Sequence, residues 1–489
     1  RLAAWHPDGD DAPGATVPAF AEEGGAAGIP GPLLRVPAGT RVALSLRNAL
    51  GDTLRVHGLH TRGGDAVVDT APVTLPPGTS RTTRFRLHTP GTYYYWGTTT
   101  RRAIDYRTLD DAQLTGAIVV DAAPARATTP PPDRVFVIGM WADTVHRART
   151  HRRRLLAVIN GRSWPHTERL SYAVGDTVRW RVVNASADLH PMHLHGFYFR
   201  IDGRGDGATD TTYAPGRKEL AVTESMGAGS TLSLTWVPER PGNWLFHCHI
   251  PEHFAPRGSL GLARPAASAA AHADHAVGGM NGLVLGVTVR PASAAPPAVG
   301  VAAGAERHLR LLVRPNRGGS HAAPLYGYAL HEPAHGAAEP PPDSGLSVGP
   351  TLALERGRPV RISVVNRLPE PTAVHWHGIE LESYFDGVPG FSGAGRRVTP
   401  LIAPGDSFEV RFTPPRAGTF IYHTHAEEER QQLAGLAGAI VVHEPGAPRP
   451  ATDIPLLLTE AANASGRPVQ VLVNGHPAPR PLELVAGTT

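Results

Sequence analysis

Histidines spaced two apart recur at four places in the 489-residue chain: His193/His195, His247/His249, His375/His377 and His423/His425. On a β-strand, residues i and i+2 project from the same face about 6–7 Å apart, so each pair presents two imidazoles to one side. Eight imidazoles are too many for one ion and suit a cluster of metals. The sole cysteine, Cys248, is the middle residue of His247-Cys248-His249 and points to the opposite face. There it can join His190, which opens the run HPMHLHG, and His253, five residues beyond the cysteine. That His₂Cys set is the ligand type of a blue-copper electron-transfer site. One strand then links a buried single-metal site, through two adjacent peptide links, to a cluster on its other face. A lone His-x-His is commonplace on a strand. Four of them, with the only cysteine inside one, point to metal chemistry.

Internal repetition indicates how these strands are placed. Residues 31–50 (GPLLRVPAGTRVALSLRNAL) match 349–368 (GPTLALERGRPVRISVVNRL), 318 positions on, and the register holds at Asn48/Asn366 and His57/His375. GTYYYWGT at 91–98 answers GTFIYHTH at 418–425, and GAIVV begins at both Gly116 and Gly438. VINGRSWP from Val158 resembles VLVNGHPAP from Val471. The chain therefore reads A-B-A′-B′, with B′ cut off at Thr489 soon after it begins. Pro/Ala-rich breaks at 121–134, 290–300 and 443–453 separate the units. Within them RVALSLRN, VRWRVVN, VRISVVN and FEVRFTP alternate apolar and polar residues, as half-buried strands do. The 54 glycines and 48 prolines break long helices and suit short strands joined by turns. The expected fold class is all-β, with Greek-key sandwiches in series.

Composition narrows the function. Basic and acidic residues nearly balance, 47 against 43, and no basic run is interleaved with aromatics, so nucleic acid is not an expected partner. No stretch approaches the ~18 apolar residues of a membrane span. A single cysteine rules out an internal disulfide and leaves the thiol for other chemistry. The first residues read as strand with no signal-peptide pattern. The expected location is periplasmic or extracellular, with the export signal outside this sequence.

The four histidine motifs closely resemble those of the multicopper oxidases, the family of laccases, metallo-oxidases and ceruloplasmin, whose domains are cupredoxin-like sandwiches. The resemblance spans units B and A′ and implies four copper ions. His190, Cys248 and His253 would bind type 1 copper. His193 and His375 would bind type 2 copper, and His195, His247, His249, His377, His423 and His425 the type 3 pair. The implied reaction is one-electron oxidation of a small reducing substrate at type 1 copper, coupled through Cys248, His247 and His249 to four-electron reduction of dioxygen to water. The donor would be a phenol, an aromatic amine or a low-valent metal ion. Asp386, nine residues after His377 in YFDGVPG, matches the acid that the family places beside the cluster, although Asp-Gly is also an ordinary turn. The implied division is a copper-free cupredoxin-like domain at 1–128, type 1 copper with half of the trinuclear site at 129–295, the other half at 306–446, and the truncated start of a fourth domain at 447–489.

The chain departs from the family pattern in three ways. The type 1 unit precedes its partner, an order similar to that of two-domain laccases, whose cluster forms between subunits. Two such units fused in tandem would bring B against A′ within one chain, and a homo-oligomer is also possible. In unit A only His57 survives. Gly58 and Leu59 replace the next two positions of HWHG, and Trp96 and Thr98 replace both histidines of HTH. The axial position, ten residues past the cysteine, is Gly258. GGMNGLVLGVTV at 278–289 looks like the segment that normally follows the type 1 histidine, which implies Met280 as the axial ligand and an inserted loop at 259–279. A copper nitrite reductase or a plain electron carrier is the alternative, but neither needs all eight cluster histidines.

Overall fold

The computed structural model describes residues 1–5, 15–64, 70–104, 110–122, 133–143, 154–254, 275–292, 305–316, 325–332, 349–448, 453–462, 468–479 and 481–482. Residues 259–274 of the expected loop, His272 among them, lie outside the described residues.

Side-chain alternation builds the strands. Val360–Asn366 (VRISVVN) begins by alternating buried and half-buried residues, and Thr40–Arg47 (TRVALSLR) alternates half-buried and exposed ones throughout. That is the period-2 pattern of β-branched and polar residues on a strand with one covered face. In unit B, one sheet runs Arg169–Ala173, Val284–Arg290, Gly242–Cys248, His190–Leu194, Thr223–Met226. It faces a second sheet centred on Val178–Asn184 and Thr231–Trp236. Phe136, Trp180, Trp236, Trp244 and Phe246 fill the space between the two. Unit A′ repeats the design in two four-stranded sheets, one of them ordered Gly349–Glu355, Ala437–His443, Gly418–His423, His375–His377. In both units an early strand pairs parallel with a later one, Arg134–Asp143 with Val178–Asn184 and Arg307–Pro315 with Val360–Asn366. Parallel neighbours cannot be joined by a hairpin, so the chain must cross between the sheets. The fold is a series of cupredoxin-like Greek-key sandwiches.

Each unit turns toward its histidine strand at a buried asparagine. Asn184 Nδ2 donates to Asp188 O at 2.8 Å and Met226 O at 2.9 Å, and Asn366 Nδ2 donates to Glu370 O and Ile402 O, both at 2.8 Å. Asn48 does the same in unit A with Asp52 O and Leu75 O. The side-chain amide pins the turn that leads to His190, His375 and His57.

The two A-type units cover opposite sheets of unit B. Gly393–Ala394 of A′ pairs with Asn243, and Ser383 Oγ donates to Asn243 O at 2.6 Å. Gly242, at φ +132°, permits this approach, because a Cβ there would lie 2.3 Å from Ser383 Cβ. Unit A packs on the other sheet, through a seam of Tyr94, Ala117, Val137, Val183 and Ala185 and a 2.7 Å bond from Arg181 Nη1 to Thr92 Oγ1. After A′ the chain forms the hairpin Leu458–Ala462/Pro468–Val473. No helix among the described residues is long and apolar enough to cross a membrane.

Candidate metal centre

Alternation on two neighbouring strands sorts the ligands to two faces. On His190–Leu194, Met192 and Leu194 join the sandwich core, while His193 and His195 point outward to A′. On Gly242–Cys248 the thiol faces inward and His247 outward, Met192 standing opposite Cys248 in register. The short helix Pro251–Phe254 returns His253 to the cysteine. Three donor atoms converge there: His190 Nδ1 and His253 Nδ1 lie 3.0 Å apart, and Cys248 Sγ is 3.7 Å from the first and 3.5 Å from the second. An ion with bonds of roughly 2.0–2.3 Å spans such distances. Ser186 Oγ, 2.7 Å from His190 Nε2, holds that ring with Nδ1 toward the thiol. Burial pushes the Cys248 thiol up to about 12 and, with the His253 charge beside it, pushes His190 down to about 3. The imidazole is thus a neutral donor, whereas the thiol must lose its proton to a metal.

The remaining eight histidines meet across the B/A′ junction. Rings of His193 and His377 stack at 3.7 Å between centroids and those of His195 and His375 at 4.0 Å; His249 and His423 meet edge-on at 5.0 Å. Three sets of three donors come within 4.8 Å of one another: His193, His195, His375; His195, His247, His425; and His249, His377, His423. Hydrogen bonds fix which ring atom is available. His193 Nδ1 donates to Val222 O at 2.8 Å, His375 Nδ1 to Asp386 O at 2.6 Å, His247 Nδ1 to Cys248 O at 2.8 Å and His423 Nδ1 to Thr424 O at 2.8 Å. Carbonyls only accept, so each of these rings turns a lone pair on Nε2 inward. His247 Nε2 faces His195 Nε2 at 2.9 Å, a gap that needs a proton or a metal ion between the nitrogens. Nε2 of His193, His249, His375 and His423 and Nδ1 of His377 are buried without a hydrogen-bond partner among the described residues. Buried polar atoms are seldom left so, and five converging here fit a metal cluster. Burial and mutual repulsion hold His193, His195, His247, His375 and His377 well below the usual histidine range, and burial lowers His249 to about 4 and His423 to about 3.

Acids flank this centre. Asp386 is buried, with Oδ2 2.8 Å from His195 Nδ1 and Oδ1 3.5 Å from His375 Nδ1, while Ser392 Oγ donates to Oδ2 at 3.0 Å. Burial pushes its carboxyl up to about 8 against that hydrogen bond. Glu428, which sequence reasoning missed, is buried on the far side, its oxygens 3.4 Å from His423 Nδ1 and 3.7 Å from His425 Nδ1. Burial holds it well above the usual carboxylate range. Its place three residues after His425, opening the helix Glu428–Leu433, was the available signal. Thr223 was missed as well, lying on a strand that carries no histidine.

Met280 is buried with Trp164, Leu245, Phe254, Val284 and Val388, a cluster adjoining His253 through Phe254 and distinct from the core that holds Cys248. In unit A, His57 stacks on Trp96 at 4.0 Å and 5°, and Thr98 Oγ1 donates to Asp111 at 2.9 Å. No group of three metal-ligating side chains forms there among the described residues.

Two family models, both described as multicopper oxidase, match the chain, one at residues 25–124 and 344–447 and the other at 130–261. The chain is 37% identical over 124 residues to multicopper oxidase MCE of Talaromyces pinophilus, covering 25% of this chain and 18% of that protein. It is 39% identical over 94 residues to copper resistance protein A of Escherichia coli, covering 19% and 14%. The alignments thus span less than a fifth of either relative. Among solved structures, a blue copper oxidase from Nitrosomonas europaea aligns at 16% identity and TM-score 0.42, over 59% of this chain and 84% of that one.

Proposed function

Because the chain belongs to the multicopper oxidase family, we propose that it oxidises a small reducing substrate one electron at a time and reduces dioxygen to water, using four copper ions. His190, Cys248 and His253 would hold type 1 copper, and Met280, buried beside Phe254, would supply a thioether to that site. His193 and His375 hold type 2 copper. His195, His247 and His425 hold one type 3 ion, and His249, His377 and His423 the other. Bound copper would supply the redox chemistry, collecting single electrons from a phenol, an aromatic amine or a low-valent metal ion and delivering four to dioxygen.

The observation that carries this reading is the convergence of donors on both faces of the Cys248 strand, from B alone at the thiol and from B and A′ together on the outer face. That residue shares a peptide bond with His247 and another with His249, so its thiol is joined covalently to both type 3 ligand sets. Asp386, at His195 Nδ1, holds a proton where dioxygen reduction consumes protons. The copper-free first domain at 1–128, the two copper-bearing domains at 129–295 and 306–446 and the start of a fourth at 447–489 form part of this proposal, as does a periplasmic or extracellular location.

Oxygen uptake tests it. Copper-loaded protein given a phenol or aromatic amine should consume one dioxygen per four electrons and release water. Hydrogen peroxide as the main product, or donor oxidation without oxygen uptake, contradicts the proposal.

A further inference from the structure

Thr223 lies at the start of the edge strand Thr223–Met226, half-buried and paired in register with His193. Its Oγ1 is 3.1 Å from His193 Nδ1 and 3.0 Å from His377 Nε2. A single hydroxyl of unit B therefore touches one cluster ligand from each sandwich. The two rings are themselves stacked, with 3.7 Å between centroids and 16° between planes, so neither can slide aside without disturbing the other.

His377 is held the opposite way round from its neighbours. His193, His247, His375 and His423 each give their Nδ1 hydrogen to a backbone carbonyl and turn Nε2 inward. In His377 the unpartnered buried atom is Nδ1, and Nε2 is the atom that is hydrogen-bonded. If Nδ1 presents a lone pair to a metal, Nε2 must carry the proton, and Thr223 Oγ1 is its acceptor. Flipping the ring would put Nε2 in the cluster and leave the hydroxyl facing the other nitrogen.

We infer that Thr223 is a positioning residue that holds His377 with Nδ1 toward the metal cluster, and thereby fastens A′ to B at the centre. The inference rests on the copper reading of the site. Removing the hydroxyl leaves the Nε2 hydrogen of His377 without its acceptor. Losing a partner behind a metal-bound histidine typically lowers metal affinity about 10–100-fold.

The test compares wild type with Thr223→Val, Thr223→Ala and Thr223→Ser, all loaded with copper and dialysed against a graded series of a copper chelator. Copper per chain, the blue absorption of the type 1 site and the paramagnetic resonance of the cluster are recorded. Valine keeps the side-chain volume and alanine guards against a valine variant that does not fold. The expected result is that both lose cluster copper at about 10–100-fold less chelator than wild type, with the type 1 absorption unchanged. Serine restores the wild-type curve. Valine and alanine curves coinciding with wild type overturn the inference, as does a serine variant no better than valine, because the hydroxyl alone would then not hold the ring. A wild-type protein that binds no cluster copper fails the copper reading itself, before any variant is compared.

Discussion

His195 and Asp386, 191 residues apart in the sequence, meet at 2.8 Å through Nδ1 and Oδ2 across the junction of two sandwiches. The other oxygen of the same carboxyl lies 3.5 Å from His375 Nδ1. One acid therefore stands behind a proposed type 3 ligand from unit B and a proposed type 2 ligand from A′. That placement, with burial pushing the carboxyl up to about 8, suits the proposed roles of orienting both rings and keeping a proton at hand.

Asp386→Asn keeps the size and an acceptor oxygen and removes the titratable proton. Dioxygen reduction should slow by about 10–100-fold, with reduction of type 1 copper by the donor unchanged. Stopped-flow measurement of the two half-reactions checks this. Wild-type rates in both halves would leave Asp386 as a turn residue.

The buried histidines set the acid stability of the copper-free protein. Burial lowers His190 and His423 to about 3 and His249 to about 4, whereas an unfolded chain protonates histidine near pH 6.5. Between those values these rings bind more protons unfolded than folded, so their contribution to stability is fully present above about pH 6.5 and falls as the pH drops through the window. Asp386 and Glu428 offset this in part, since their raised carboxyls hold protons that the unfolded chain has released. Each such imidazole contributes on the order of 1.4 kcal/mol per pH unit inside it. Denaturant midpoints of copper-free protein should therefore fall steeply from pH 6.5 to 4. A flat profile would show that these rings are not held neutral.

His57 is expected to be structural. Its ring lies flat on Trp96, which, like Thr98, fills a position where A′ carries a histidine of HTH. His57→Ala should leave copper content and oxidase rate unchanged and lower stability by about 0.5–1.5 kcal/mol, the worth of an aromatic pair. Loss of copper in that variant would mean that unit A holds metal.

Much of the centre is legible in the sequence because strand alternation is local. His193/His195, His247/His249, His375/His377 and His423/His425 fall on the faces that period 2 assigns them, and Cys248 falls on the opposite one. Asp386 follows only from the family resemblance, which places an acid at that point after His377. Thr223 does not follow in this way, since it reaches His377 only through packing between the two units, whereas Glu428, three residues after His425, carried a local signal. The seating of unit A on the far sheet of unit B is likewise a tertiary outcome. Tyr94 lies in the seam with Val137 and Val183, and Trp96 packs against it.

Two thioethers compete for the axial position. Met280 is the one placed by sequence, whereas Met192 stands opposite Cys248 and shares its core. Met280→Leu should raise the type 1 reduction potential and alter the blue absorption without loss of copper, and Met192→Leu should do neither. Spectroelectrochemical titration of both variants decides between them. The reverse pattern would move the axial role to Met192.

Diffraction from copper-loaded crystals, recorded on both sides of the copper absorption edge, tests the central claim most directly. The account predicts four anomalous peaks per chain: one among His190, Cys248 and His253, and three among the eight histidines at the B/A′ junction. A single peak at Cys248, or cluster peaks that do not join histidines of B with those of A′, would contradict it.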